Sequence, residues 1–169
     1  LEGFDPRNSY KVRQLVNIIA QYAPFKPNLV QLSEMIGVHR NTLIGYFFHL
    51  EKAKLISLIY PAGTSISILQ KPERVYLSNA NLAHLLSAIQ PERSTVAQSF
   101  ATNHLSALYP VTLINRNTFE IDTSWHLVVS IPNQRIRRTP TDRTIFTFAD
   151  GYEVGTSSKI PLWTLGLLY

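Results

Sequence analysis

Glu120 and Asp122 stand two residues apart in the alternating run Thr118-Phe119-Glu120-Ile121-Asp122, a spacing that puts both carboxylates on one face of a strand. His126 follows a few residues on. Such a group could hold a divalent ion or move a proton, and a metal-dependent nuclease built on it would have to recruit Asp150 as well. A simpler reading stands beside it: these are polar side chains on the water-facing side of an antiparallel hairpin. Other chemistries lack their residues. The five histidines, His39, His49, His84, His104 and His126, show no pairing at three- or four-residue spacing, which argues against a helix-borne zinc site. Cysteine is absent, so there is no thiolate ligand, disulfide or thiol nucleophile. No Gly-x-Ser-x-Gly elbow occurs, and Gly155-Thr-Ser-Ser-Lys159 lacks the spacing and the second glycine of a phosphate-cradling loop. No catalytic residue, metal site or cofactor is expected.

Nucleic-acid binding has more to work with. The net charge is +5 with a pI near 9.6, which permits an acidic partner without demanding one. Residues 1–95 hold ten Lys and Arg against six Asp and Glu, so the basic excess leans towards the N-terminal half. Arg135, Arg137, Arg138 and Arg143 cluster around Pro140 and read as a solvated hairpin tip.

These side chains need elements to position them. Val12, Leu15, Val16, Ile18, Ile19 and Tyr22 recur at helical spacing and predict a first helix over 10–22. Pro24 and Pro27 break it, and Asn28 followed by Gln31 caps a second helix over 29–36 that Gly37 stops. A third begins at His39-Arg40-Asn41 and runs through Leu43, Tyr46, Phe47 and Leu50 to about Ala53. Two short helices joined by so tight a turn make a helix-turn-helix, with the second member free to enter a major groove. Strand-like Leu55–Tyr60, a turn at Pro61–Thr64, a strand from about Ile66, and Val75–Leu77 complete a winged helix-turn-helix. His39, Arg40 and Asn41 are placed to reach base edges or phosphates, and His49 and Lys52 to support phosphate contacts. Ile44 and Phe48, one turn apart on the same helix, can hydrogen-bond to nothing and form a possible docking patch for protein.

Beyond residue 78 the character changes. Helices over 82–89 and from Pro91 through Tyr109 precede strand-like runs at 111–114, 118–121, 125–131 and 143–148, and the apolar tail 160–169 is expected to pack on the sheet. On the longer helix Val96, Phe100, Asn103, His104, Leu105, Leu108 and Tyr109 mark a largely apolar face. No stretch is apolar enough to span a membrane. The opening Leu-Glu-Gly-Phe reads as the start of a fragment of a longer polypeptide, and the lack of cysteine suits a reducing cytoplasm.

The segments PFKPNLVQLSEMIGVHRNTLIGYFFHLEKAKLISLIYPAG, LQKPERVYLSNANLAHLLS and KIPLWTLGLLY resemble the C-terminal region of prokaryotic AAA+ ATPases that carry a helical and mixed domain after the ATPase core. The resemblance implies a winged helix followed by a restriction-endonuclease-like domain. It also implies an acidic-and-lysine metal site, from which this chain departs. Thr118 stands where the aspartate is expected, Val128 where the glutamate is, and Pro132 where the lysine is. A hydroxyl, an isopropyl group and a proline ring cannot hold Mg²⁺ on a phosphodiester.

The expected protein is therefore α+β: a winged helix-turn-helix over 1–78, then a small mixed α/β domain over 79–169 resembling a degenerate restriction-endonuclease-like fold. It is expected to act as a non-enzymatic, cytoplasmic module of an ATPase, binding double-stranded DNA or docking onto the ATPase core of the parent chain. The alternatives are a protein-interaction module that binds no nucleic acid and, further off, a metal-dependent nuclease.

Overall fold

The computed structural model describes residues 9–61, 71–87, 89–122, 124–133 and 144–168. Helix α1 (Ser9–Tyr22) turns Leu15 and Ile19, four residues apart, fully inward. Helix α2 (Leu29–Ile36) begins where the sequence places it: the Asn28 side chain accepts a hydrogen bond from the Gln31 amide, satisfying one of the free N–H groups of the first turn. It ends at Gly37, whose φ of 69° closes the helix with bonds back to Glu34 and Ser33. Helix α3 (Arg40–Lys52) follows at once. Leu32 and Ile36 of α2 meet Leu43, Phe47 and Leu50 of α3 in one buried cluster with Leu15 and Ile19.

Strands β1 (Ile56–Ile59) and β2 (Arg74–Leu77) pair antiparallel, and Phe25, between α1 and α2, adds a bridge to Val75 on the other edge of β2. The expected turn and strand start over 62–70 lie outside the described residues. Because side chains alternate along a strand, the ribbon has two faces, and both are covered. Ile56, Leu58, Val75 and Leu77 join the helical core. Ile59 and Tyr76 enter a second core with Ala97, Ala101 and Leu105 and with the larger sheet.

Helix α4 (Ala80–Leu86) is capped by Asn79, which accepts from the Asn81 amide. The helix expected through residue 89 stops at Leu86. Ser87 is extended there, its hydroxyl accepts from the Ile89 amide, and Pro91 disfavours helix before it. Although the sequence groups α4 with the second domain, Leu82 and Ala83 pack into the first core.

Helix α5 (Arg93–Leu108) lies between ribbon and sheet. Its most buried positions are Ala97, Gln98, Ser99, Ala101, Thr102 and Leu105, whereas Leu108 is largely exposed. The expected face of large apolar residues is thus rotated, because a helix pressed from two sides needs small side chains at the points of closest approach. The sheet runs β3 (Val111–Asn115), β4 (Thr118–Ile121), β5 (Trp125–Ser130), β6 (Ile145–Ala149) and β7 (Ile160–Pro161) in that spatial order. β3, β4 and β5 are antiparallel neighbours; β5, β6 and β7 are parallel. Phe119, Ile121, Leu127 and Val129 face α5, and the tail, as a 3₁₀ helix over Leu162–Leu167, adds Leu162 and Leu165 to the same core. Among the described residues no helix is long and apolar enough to cross a membrane.

Tyr76 is the pivot of the second core. It is fully buried, its ring lies 6.3 Å from that of Phe119, and burial drives its phenol far above the usual range, with Arg74 and the Thr102 hydroxyl offsetting part of this. Tyr76→Ala is expected to cost about 3–5 kcal/mol, and Tyr76→Phe less than about 1.5, in urea unfolding at neutral pH. Equal costs for the two would show that the hydroxyl, not the ring, carries the stability.

Candidate nucleic-acid interface

Helix α3 buries Leu43, Tyr46, Phe47 and Leu50, so the opposite stripe runs Asn41, Gly45, Phe48, Lys52 at four-, three- and four-residue steps. His39, Arg40 and Asn41 are exposed at its start, as is Lys52 at its end. Phe48 is 58% exposed, and its ring meets His49 edge-on at 5.7 Å. Ile44 leans inwards and packs against the helical core, so it belongs only in part to an outer patch. Arg40 and Lys52 are twelve positions apart, about 18 Å along the axis, so they serve different ends of the helix.

Gly45 lies on the outward face that the sequence predicts, where the sequence alone gives it no role. A glycine in mid-helix costs about 0.5–1 kcal/mol relative to alanine. Yet a Cβ built on Gly45 would meet nothing within 4 Å. Packing within the chain therefore gives no reason for it, and it leaves the backbone of α3 bare at the middle of the outward stripe.

A second feature missed from sequence lies beside the start of α3. Lys26, Asn28, Leu29, Arg40 and Lys71 line a cavity of about 440 Å³ at the N-terminus of α2. Lys26 is held by Glu73 at 2.8 Å, while the Arg40 and Lys71 side chains come from distant parts of the chain. Their convergence is a product of the tight α2–α3 turn and of the approach to β2. No spacing in the sequence announces it.

On the same side of α3, further along the helix, Ile44, Phe48, Glu51, Leu58, Tyr60 and Pro72 form a smaller, mostly apolar groove of about 160 Å³. Glu51 ties helix to ribbon there by accepting the Leu58 amide at 3.1 Å. Burial raises its carboxyl above the usual range, against the lowering effects of that bond and of Lys54. Burial, and then Glu51 itself, also raise the Tyr60 phenol.

The carboxylate group suggested by Glu120, Asp122 and Asp150 does not assemble. Glu120 accepts from the Thr112 hydroxyl at 3.2 Å and lies 3.8 Å from His126 Nε2, its cross-strand partner. The two are not exposed hairpin residues as expected: His126 is buried and Glu120 half-buried. Asp122 falls past the end of β4 with φ of 50°, off the alternation that would have set it beside Glu120. Asp150 pairs with Arg93, and it sits five residues along β6 from Ile145, the register neighbour of His126, or about 16 Å away. Among the described residues no group of three His, Asp or Glu side chains converges. Thr118 and Val128 are direct register partners, so the two positions that the nuclease resemblance singles out do adjoin, carrying a buried hydroxyl and an isopropyl group. Arg135, Arg137, Arg138 and Arg143 lie outside the described residues.

Comparison of the chain with protein-family models, with curated proteins and with solved structures finds no match.

Glu51→Gln keeps an acceptor for the Leu58 amide and removes the charge that burial opposes. A carboxyl whose folded pKa is raised favours the fold fully below its unfolded pKa, and that advantage disappears as pH rises through the folded value. The variant is therefore expected to match the parent in urea midpoint near pH 4 and to exceed it at pH 7. A variant less stable than the parent at pH 7 would contradict this.

Proposed function

We propose that residues 9–77 form a winged helix-turn-helix that binds duplex DNA, with α3 in the major groove and the cavity at the start of α2 on the phosphate backbone. Support comes first from connectivity: three helices, an edge bridge between the first two, and an antiparallel ribbon after the third follow the order of that fold. The observation that carries the function is Gly45. A half-buried glycine between Asn41 and Phe48 on the outward stripe, with open space where its Cβ would stand, suits a helix that another molecule must approach closely. Asn41 offers the two-pronged pairing that reads adenine, and Phe48 offers the apolar contact that a thymine methyl group accepts. Arg40 and Lys71 supply phosphate contacts that fix the docking register.

The second half is read as non-enzymatic support, since the positions that would carry nuclease chemistry hold Thr118, Val128 and Pro132. A second reading rests on the groove beside Phe48 and Tyr60. There the same helix would dock, through Ile44 and Phe48, onto the ATPase core of a longer parent chain.

Gly45→Ala separates fold from function. It is expected to raise thermal stability by about 0.5–1 kcal/mol while weakening duplex binding measured by fluorescence anisotropy. Arg40→Ala and Lys71→Ala should each flatten the plot of log affinity against log salt by about one unit. Salt-independent binding, or a Gly45→Ala protein that binds as tightly as the parent, would contradict the DNA reading. Loss of association with an ATPase core in Phe48→Glu, with no DNA binding in the parent at low salt, would favour docking.

A further inference from the structure

A cavity outside α3 sits at the C-terminal end of β6, where parallel sheets of α/β proteins place their ligands. Ala149, the last residue of the strand, and Asp150 and Gly151 after it face the first turns of α5 across an open cleft of about 350 Å³, within the ~300–1,000 Å³ range of small-molecule sites. Its floor is apolar, built from Val96, Ala97, Phe100 and Leu162. Two aromatic side chains flank the opening: Tyr152, and Trp163, which is 53% exposed. Both rings are fixed. Trp163 Nε1 donates to the Glu153 carbonyl at 3.3 Å, and Lys159 Nζ donates to the Tyr152 hydroxyl at 2.8 Å. At the rim, Arg93 Nε donates to Asp150 Oδ2. Gly151 adopts φ of 81°, a conformation that favours glycine, and the Arg93 guanidinium lies against it at the strand end.

The chemistry of the lining narrows the ligand. A lone carboxylate already held by arginine is a poor metal site. An anion gains little, because Asp150 compensates Arg93. A purely aliphatic group would leave unused the donors and the acceptor that the ion pair presents side by side. A flat ring with polar groups on its edge satisfies all three surfaces: apolar floor, aromatic flanks, and a donor–acceptor rim. We propose that this cavity binds a nucleobase, stacked against Trp163 and Tyr152, with its hydrogen-bonding edge on Arg93 and Asp150. The site is independent of the α3 surface, and it stands or falls apart from duplex binding.

The test uses the full chain carrying Trp125→Phe, which leaves Trp163 as the single tryptophan; Trp125 is half exposed, and calorimetry on the unmodified chain covers any loss of folding. Adenosine, guanosine and a short single-stranded oligonucleotide are titrated separately. Saturable quenching by a nucleoside and the oligonucleotide assigns recognition to the ring. Quenching by the oligonucleotide alone assigns the base to a strand, which also supports the proposal. Arg93→Met is expected to weaken binding about tenfold, from loss of charged hydrogen bonds. The proposal is overturned if neither probe quenches or gives a calorimetric signal, or if toluene binds as tightly as the nucleosides, since toluene has no polar edge for Arg93 and Asp150 to read.

Discussion

The burial of the two-stranded ribbon on both of its faces is the constraint on which the rest of this structure depends. Two strands alone are marginal in water, and they persist only when apolar surface covers them. Here Ile56, Leu58, Val75 and Leu77 close the helical core, while Ile59 and Tyr76 project into the core of the five-stranded sheet. The helical half and the mixed half therefore share an element instead of meeting across a linker. Helix α4 crosses in the other direction, carrying Leu82 and Ala83 into the first core after the chain has left the ribbon. Such interleaving fixes the orientation of α3 relative to the sheet, since Glu51 binds α3 to β1 and Tyr76 binds β2 to α5 and β4.

That rigidity bears on the proposed function. A helix that must enter a groove with its central glycine against the partner tolerates little tilt, and the ribbon behind α3 supplies the brace. The basic cavity at the start of α3 and the apolar groove further along the same side give this one helix surfaces of two chemical kinds. Lys26, Arg40 and Lys71 gather at the start of α2 and α3, while Phe48 and Tyr60 line the apolar groove near the ribbon. The aromatic cavity at the end of β6 lies in the other half, so base stacking there and groove binding by α3 need not compete.

Much of the fold is legible in the sequence because its signals are local. The Asn28 cap, the Gly37 stop and the apolar spacing of α3 each act within a few residues, and the helices fall within a residue or so of where these marks put them. Long-range features are harder. Ser99 and Thr102 look like surface residues of α5, yet with Ala101 they are its most buried positions because ribbon and sheet both pack against this helix. Glu120 and His126 look like an exposed hairpin pair for the same reason: alternation tells which residues share a face, not whether that face meets water. Asp122 leaves the alternation through a left-handed residue that the pattern around it does not mark. In the candidate interface, Arg40 and Asn41 are visible as the exposed start of a helix. Lys71 is not, because its place beside Arg40 is set by how the chain returns to β2, and Gly45 becomes informative only once the space around it is known to be open.

Native-state hydrogen exchange of the intact chain, followed residue by residue under increasing denaturant, measures the shared ribbon most directly. If both cores depend on it, the slowest amides of α3, β1, β2 and β5 open with one free energy, equal to that of global unfolding. A sheet whose β5 amides exchange through a lower opening, while those of α3 and the ribbon stay protected, would contradict the account.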